Sequence, residues 1–338
     1  PDNVLLADWT GPYGGVPPWD KVRPEQFDEA IQYGIDELKR EAAAIANNPD
    51  APTFDNTIAA SDKTGERLGQ VMSIFGVMTD NMSTPEYEAL DKKWSPLLSS
   101  VFDEISLDPA YFARVETLYN QRDRLGLDAK QLRLLTRTYD GLVRRGVKLD
   151  PASKDQLKAI NKQLSSLFAD FNARLLKDEG TWTLASEAEM AGVPADIKDA
   201  AASLAKDKGA AAPYAIRNTR SAADPVLSFA SNRGLREKVW RAFVNRGDNG
   251  NANDTNALIA QIVKLRADRA HLLGFKTHAD LRMQDTMAKT PARAMDLMMR
   301  VWPAAVKRVN EEVAEMKPIA ARDGVRAIEP WDYRYYME

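Results

Sequence analysis

The chain contains 338 residues, of which 44% are hydrophobic and 28% charged, and its 46 Lys and Arg against 49 Asp and Glu give a net charge of −3. These values are ordinary for a soluble globular protein of one large domain or two to three smaller ones. The basic excess expected of a nucleic-acid-binding protein is missing.

No apolar run approaches the roughly 20 residues that cross a bilayer, so we expect no membrane partner. The sequence has two histidines and no cysteine. This composition excludes disulfides, cysteine–zinc sites and thiol catalysis. It is compatible with a reducing compartment such as the cytoplasm, and it leaves the periplasm open.

Helices dominate the predicted structure. A capping residue followed by proline predicts a helix start, because the side-chain oxygen accepts a hydrogen bond from a free N–H and proline suits the first turn. Five such pairs occur: Thr84-Pro85, Asp108-Pro109, Asp150-Pro151, Asp224-Pro225 and Thr290-Pro291.

Apolar residues recur at helical spacing over residues 84–106, 151–178, 255–273 and 290–321. We therefore predict that each segment buries one face, with kinks at Pro303 and Pro318 in the last segment. The four faces are Tyr87, Leu90, Trp94, Leu97, Val101 and Ile105; Leu157, Ile160, Leu164, Leu167, Phe171 and Leu175; Leu258, Ile262, Leu265 and Leu272; and Val306, Val309, Val313 and Met316.

Strand signals are few. Residues 181–184 and 214–217 are the candidates, with a predicted helix near 194–207 between them, so the expected fold is nearly all-α. Asp332 is predicted to cap a further helix. Because Tyr333, Tyr335 and Tyr336 would have little to bury against so close to Glu338, we expect more protein to follow.

His271 and His278 are the chain's only imidazoles. Zinc sites on helices commonly use two histidines four residues apart together with a third ligand, and neither H-E-x-x-H nor another ligand pattern occurs. Both histidines are therefore interpreted as structural. Between them, Gly274 is predicted to supply a left-handed turn after one helix, and Thr277 with Asp280 resembles a capping box at the start of the next.

Residues 248–254 resemble a calcium-binding loop at first sight. Glycine occupies the third position of that loop, and Ile259 stands where a bidentate glutamate belongs. We therefore interpret the segment as a polar loop that caps the helix beginning at Thr255.

Two further charged groups have structural interpretations. Glu311, Glu312 and Glu315 are expected to form the solvated face of a helix. Six arginines are expected to be surface charge with some buried forks to carboxylates; they are Arg233, Arg236, Arg241, Arg246, Arg266 and Arg269.

Several short segments, in this order, resemble the zinc oligopeptidase family that includes thimet oligopeptidase, neurolysin and bacterial oligopeptidase A. They are residues 22–27, 52–57, 145–149, 233–247, 256–259, 265–275, 287–291 and 331–336. The stretch from Ser106 to Pro109 most resembles the peptidyl-dipeptidase (dipeptidyl carboxypeptidase) branch. The resemblance covers essentially the whole chain and corresponds to the N-terminal half of the family sequence.

The resemblance implies a multi-helix, neurolysin-like zincin scaffold in which two subdomains flank a deep cleft for short unfolded peptides. It implies that residues 1–232 form a wall of that cleft and that residues 233–338 lead into the catalytic subdomain. The family holds zinc with an H-E-x-x-H helix and a further glutamate, and these residues belong to the second half of the family sequence. We therefore assign no catalytic residue and no metal ligand in this chain, and leave the substrate-binding residues unassigned.

Three interpretations stay open from the sequence. The intact protein is expected to be a zinc peptidase that releases C-terminal dipeptides, while this chain alone is inactive. Alternatively, the chain is a non-catalytic helical peptide-binding module without the metal site. In the third interpretation, a second chain supplies the catalytic half.

Overall fold

The computed structural model describes residues 3–82 and 84–337, and helices make up most of them. The α-helices are α1 (Phe27–Ala46), α2 (Ala60–Asp62), α3 (Glu66–Asn81), α4 (Pro85–Ser106), α5 (Pro109–Gln121), α6 (Ala129–Arg144), α7 (Pro151–Glu179), α8 (Ala195–Asp207), α9 (Arg220–Phe229), α10 (Arg233–Val244), α11 (Asn256–Leu272), α12 (His278–Met283), α13 (Pro291–Arg322) and α14 (Tyr333–Met337). Short 3₁₀ helices cover Val4–Leu6, Pro12–Gly14, Trp19–Lys21, Pro24–Gln26 and Arg122–Arg124, and a π-helical turn covers Phe54–Ala59.

The sheet described by the structure is one antiparallel pair. Strand β1 (Trp182–Ala185) pairs with β2 (Tyr214–Arg217), so that Trp182 lies opposite Arg217 and Ala185 opposite Tyr214. The predicted nearly all-α fold is confirmed, and the first predicted strand is shifted by one residue.

The chain divides into two compact units. The first comprises Pro1–Asp170 and Ile262–Leu281, and the second comprises Phe171–Gln261 and Arg282–Glu338. Each unit is therefore assembled from two separate stretches of sequence.

The first unit has a core in which α1, α3 and α4 meet. Phe27 is fully buried there and makes edge contacts with Phe75 and Tyr87, at ring-centroid distances of 5.3 and 5.9 Å. The Trp94 indole N–H donates to the Asp28 carboxylate across 2.7 Å, so the buried aromatic ring has its polar atom satisfied.

Two glycines shape the second core of the first unit, which α5, α6 and the start of α7 form. At Gly146 (φ +94°), a Cβ atom would lie 2.8 Å from Leu157 and 2.9 Å from Leu273. Gly274 (φ +83°) ends α11, and the Phe275 amide donates to the Ala270 carbonyl across 2.8 Å. The predicted left-handed turn at Gly274 is confirmed.

The core of the second unit packs α9 and α10 against the small sheet. Met190, Val226 and Leu235 are fully buried in it, and Trp331 joins them from the other stretch of this unit. A smaller cluster places Met316 and Ala320 of α13 against Tyr336 of α14.

Two predictions on helix details are wrong. Asp224-Pro225 does not start a helix, because α9 begins a turn earlier at Arg220, after the N-cap residue Thr219, and continues through the proline. The Leu97 side chain is exposed, and the neighbouring Leu98 is buried instead. At 100° per residue, Leu98 lies nearer than Leu97 to the middle of the stripe that Tyr87, Trp94 and Val101 define.

The predicted buried face of α13 is correct only in part. Met316 is buried and Val313 half-buried, whereas Val306 and Val309 are exposed. The helix continues through Pro303 and Pro318. None of the helices within residues 3–82 and 84–337 combines the length and apolar character that crossing a membrane requires.

The close crossing of α1 and α3 gives a testable prediction. A Cβ atom at Gly34 would lie 2.8 Å from the Leu68 Cα atom, so replacing Gly34 with alanine must push two backbones apart. We expect Gly34→Ala to lower the free energy of unfolding by about 1–3 kcal/mol, measured by urea unfolding followed by circular dichroism.

The matched control is Gly76→Ala in α3. Among the described residues, no atom outside the local helix backbone lies within 4 Å of a Cβ at Gly76. Alanine is the better helix former by up to about 1 kcal/mol, so this variant should be as stable as the parent or more stable. Equal stabilities of the two variants would contradict the close packing of α1 on α3.

Candidate functional site

A buried cluster of charges in the second unit surrounds the carboxylate of Asp332, which is completely buried. Arg233 donates to it in a bidentate manner, with Nε–Oδ1 and Nη2–Oδ2 distances of 3.0 and 2.7 Å. Arg236 donates from Nη2 to Oδ1 across 3.0 Å, and the Glu329 amide donates to Oδ2 across 3.0 Å. One carboxylate thus joins two arginines of α10 to the segment before α14.

Arg236 is itself buried, and its other nitrogens donate hydrogen bonds to backbone carbonyls. Its Nη1 donates to the Ala230 carbonyl across 2.7 Å, and its Nε donates to the Trp331 carbonyl across 3.2 Å. The guanidinium group lies over the Tyr335 ring, 4.0 Å from its centroid. With its donors engaged by the protein, Arg236 has the geometry of a structural group rather than a substrate-binding one.

Opposing effects act on the pKa of Asp332. Burial raises it, but hydrogen bonds from Arg233, the Glu329 amide and Arg236 outweigh burial and hold the pKa below its ordinary value. The carboxylate is therefore ionised at neutral pH. A buried anion with this many donors stabilises the fold and is a poor general acid.

The other arginines of the predicted group also bind within the protein. Arg241 pairs with Glu237 at 2.8 Å, and Arg246 pairs with Glu179 at 2.7 Å. Arg269 donates to Asn161 across 3.1 Å, and Arg266 lies over the Phe168 ring. The prediction of surface charge with some buried forks is confirmed: Arg236 is buried against Asp332, and Arg233 binds the same carboxylate from an exposed position.

His271 ties a turn together. One of its ring nitrogens, Nε2, lies 3.0 Å from the Lys276 carbonyl oxygen. A carbonyl oxygen can only accept, so this nitrogen carries the proton and is not a metal ligand in that tautomer. His278 begins α12, where Thr277 accepts from the Asp280 amide across 3.1 Å. One half of the capping box predicted at Thr277 and Asp280 is confirmed by this bond, and the Thr277 hydroxyl also donates to the Asp280 carboxylate across 2.7 Å.

The polar loop over residues 247–255 is held by Asp178, a buried carboxylate of α7. Asp178 accepts from the Gly247 amide across 2.7 Å and from the Asn249 and Asn253 side chains across 2.9 Å each. The Asn256 amide donates to Asp254 across 2.9 Å, which caps α11. The prediction of a capping loop is confirmed, with the helix starting one residue later than expected.

The three glutamates of α13 do not all share the predicted solvated face. Glu311 and Glu315 are exposed beside Arg308, but Glu312 is half-buried and accepts from the Tyr333 hydroxyl. That hydrogen bond, followed by the charge of Arg308, holds the pKa of Glu312 below its ordinary value although partial burial opposes them. Glu312 therefore joins α13 to α14.

The aromatic residues of α14 are packed, contrary to expectation. Tyr336 is buried against Met316 and Ala320, and Tyr333 and Tyr335 lie partly buried beside them. Asp332 precedes α14 as predicted, but its carboxylate binds arginines and the Glu329 amide. The sequence therefore located the start of α14 correctly, but the predicted capping role of the Asp332 side chain was wrong.

Each unit carries a surface cavity. In the second unit, a groove of about 710 Å³ is lined by Arg220, Asp224 and Phe243 among others. Arg220 pairs with Asp224 at 3.2 Å. In the first unit, a cavity of about 320 Å³ includes Tyr111, whose hydroxyl donates to Ser61 across 2.9 Å. Neither arrangement identifies a nucleophile activated by a base.

No group of three or more His, Asp or Glu that could hold a metal ion occurs within residues 3–82 and 84–337. Sequence reasoning did not single out Asp178 or the partners of Asp332, because both carboxylates act on segments far away along the chain. The one local indication was the expectation that some of the six arginines bind buried carboxylates through their forked guanidinium groups.

Asp332 gives the second prediction. Replacing it with asparagine leaves the buried Arg236 without its counter-charge, so we expect Asp332→Asn to lower the free energy of unfolding by about 3–5 kcal/mol. Glu237→Gln, which breaks the exposed pair with Arg241, should change it by less than about 0.5 kcal/mol. Urea unfolding of both variants measures these changes. Similar losses in the free energy of unfolding would show that the buried Asp332 network contributes no more stability than an exposed ion pair.

The lowered pKa of Asp332 predicts how its contribution depends on pH. A carboxyl group whose folded pKa is depressed contributes stability that is complete above its unfolded pKa, near 3.8, and is lost as pH falls through the folded pKa. The stability difference between the parent and Asp332→Asn should be constant near neutral pH and shrink below about pH 4. A difference that grew on acidification would contradict this assignment.

Comparisons with known proteins agree with the resemblance seen in the sequence. Residues 226–338 match Peptidase family M3. Dipeptidyl carboxypeptidase of Escherichia coli strain K12 is 34% identical over 99% of this chain and 50% of its own length. Oligopeptidase A of Haemophilus influenzae is 25% identical over 96% of this chain and 48% of its own length. Saccharolysin of Saccharomyces cerevisiae is 21% identical over 85% of this chain.

The chain thus spans about half the length of the curated relatives it matches. The similarity to dipeptidyl carboxypeptidase and oligopeptidase A extends over nearly all of its residues. The resemblance to the oligopeptidase family is therefore confirmed, and residues 226–338 carry the sequence of Peptidase family M3.

Proposed function

We propose that this chain is the N-terminal part of a zinc metallopeptidase that hydrolyses short peptides. The observation that carries the proposal is its similarity to a dipeptidyl carboxypeptidase, 34% identical over 99% of the chain. The oligopeptidase A relatives are less similar, at 23 to 25% identity. This difference supports release of C-terminal dipeptides over internal cleavage.

The contribution of this chain to the enzyme is structural. Residues 1–232 form a wall of the peptide cleft, and residues 233–338 lead into the catalytic subdomain. The burial of Asp332, Arg236 and Asp178 and their hydrogen bonds within this chain support this role, because such groups stabilise the fold and are not accessible to a peptide. The partners of the chain are short unfolded peptides and the catalytic half of the protein, supplied by the same gene or by a second chain.

The residues that the structure describes do not fit a zinc site. His271 uses Nε2 to bind a backbone carbonyl, and two histidines without a third ligand would leave the ion incompletely coordinated. We therefore assign the zinc ligands to the remainder of the protein, where the bound ion would supply an activated water. The cysteine-free composition supports a cytoplasmic location, with the periplasm as the alternative.

Zinc content and peptide hydrolysis test the proposal. The whole protein should bind about one zinc ion and release dipeptides from the C-terminus of an N-acetylated decapeptide, and a chelator should abolish this release. The 338-residue chain alone should do neither. Metal analysis and mass spectrometry of the products give both readouts, and mass spectrometry separates dipeptide release from internal cleavage.

The double variant His271→Gln, His278→Gln is the matched control in the whole protein. Neither imidazole is assigned to the metal, so zinc content should not change. A whole protein without zinc or hydrolysis, but with affinity for peptides, would replace this proposal with the non-catalytic binding module. Loss of zinc in the double variant would contradict the assignment of the ligands to the remainder of the protein.

A further inference from the structure

Helix α13 presents an apolar face to solvent along its first two-thirds. The exposed fractions are 51% for Met295, 52% for Met298, 64% for Trp302, 40% for Val306 and 46% for Val309. These five side chains recur at intervals of three and four residues and therefore form one stripe. We refer to them as the α13 apolar face.

Every residue from Met295 to Asn310 is exposed. This segment is about 24 Å long at 1.5 Å per residue. An isolated helix of this length is marginal in water, and most helical stability in proteins comes from packing an apolar face. Contiguous exposed patches of more than a few hundred Å² usually mark an interaction surface on a soluble protein.

The same stripe is buried further along the helix. Val313, Met316 and Ala320 continue it in register, and Met316 and Ala320 pack against Tyr336 in the second unit. On the opposite side, Lys307 and Glu311 approach to 3.9 Å, and Arg308 lies 3.7 Å from Glu315. One face of α13 is therefore suited to solvent, while the other continues an existing core.

The width of the apolar surface indicates the kind of partner. Val301, 58% exposed, lies on one side of the stripe, and Met299, 55% exposed, flanks it on the other. A two-stranded coiled coil covers only a narrow seam, whereas the core of a globular domain covers an arc wider than about 100°. A second copy of α13 would leave Val301 or Met299 in water, so a multi-helix layer fits better.

We propose that the α13 apolar face is the surface on which the remaining half of the protein packs. The proposal rests on the proposed function, because the occupant is the part of the enzyme that this chain lacks. Curated relatives are about twice as long as the chain, and the segment that matches Peptidase family M3 includes all of α13. The length available outside the chain is sufficient for a further globular domain.

Hydrogen exchange tests the proposal without a variant. Amides of residues 295–310 should exchange at least about 100-fold more slowly in the whole protein than in the 338-residue chain. Amides of α10 are the internal reference and should be similarly protected in both proteins, because the Asp332 network is complete within this chain. Equal exchange of residues 295–310 in the two proteins would overturn the proposal.

Two variants on opposite sides of α13 sharpen the test. Trp302→Ser removes the most exposed large side chain of the α13 apolar face. In the whole protein it should speed exchange of residues 295–310 at least about tenfold, because a buried aromatic anchor would be lost. Arg300→Ser, on the polar side of the same helix, should leave exchange unchanged. In the 338-residue chain neither variant should alter it.

A second copy of the chain is the competing occupant. If residues 295–310 became protected in the 338-residue chain as its concentration rose over a roughly hundredfold range, self-association would explain the face and the proposal would fail. The same samples report on the proposed function separately. An active, zinc-bound whole protein with unprotected residues 295–310 refutes only the docking, whereas an inactive, zinc-free protein with protected residues refutes only the peptidase assignment.

Discussion

The buried Asp332 carboxylate is the constraint on which the second unit depends. It binds the Arg233 and Arg236 side chains of α10, 99 and 96 positions earlier in the chain, and so joins α10 to the segment that enters α14. These two stretches of sequence are separated by residues 262–281, which belong to the first unit. A core of aliphatic side chains would hold the stretches together in several similar registers, whereas a bidentate fork and a backbone amide specify one. The network therefore fixes which residues of the two stretches face each other.

The sequence predicted the helices well because their signals are local. Cap-proline pairs located the starts of α4, α5, α7 and α13, and the period of Leu157, Ile160 and Leu164 identified a buried face. The helix start predicted at Asp224-Pro225 was wrong because the same dipeptide can lie in the first turn of a helix or further inside it. The upstream N-cap residue Thr219 is what marks the true start of α9. The prediction that Leu97 is buried was wrong because Leu97 and Leu98 are adjacent, and only one of them can lie on the buried face of α4.

What the sequence did not reveal is non-local. The apolar period of α13 identified its face, but a period carries no information on whether another element covers that face, as the exposed Val306 and Val309 show. The arginine partners of Asp332 and the loop partners of Asp178 could not be read from the residues around these carboxylates, since they lie 69 to 99 residues away. The proposed function therefore rests on the match of residues 226–338 to Peptidase family M3 and on the similarity to its relatives, and not on a catalytic constellation among the described residues.

The methionines of α13 give this helix a particular chemical sensitivity. Met287 is completely exposed just before the helix, and Met295, Met298 and Met299 are each more than half exposed on it. Oxidation of a thioether to the sulfoxide converts a flexible apolar side chain into a polar one, and solvent access governs how readily it occurs. Mild peroxide would therefore oxidise these exposed methionines before the buried Met190 and Met316. The oxidation would make the α13 apolar face more polar. The mass of a peptide that contains Met295, Met298 and Met299 would therefore report how far a preparation of the protein has been oxidised.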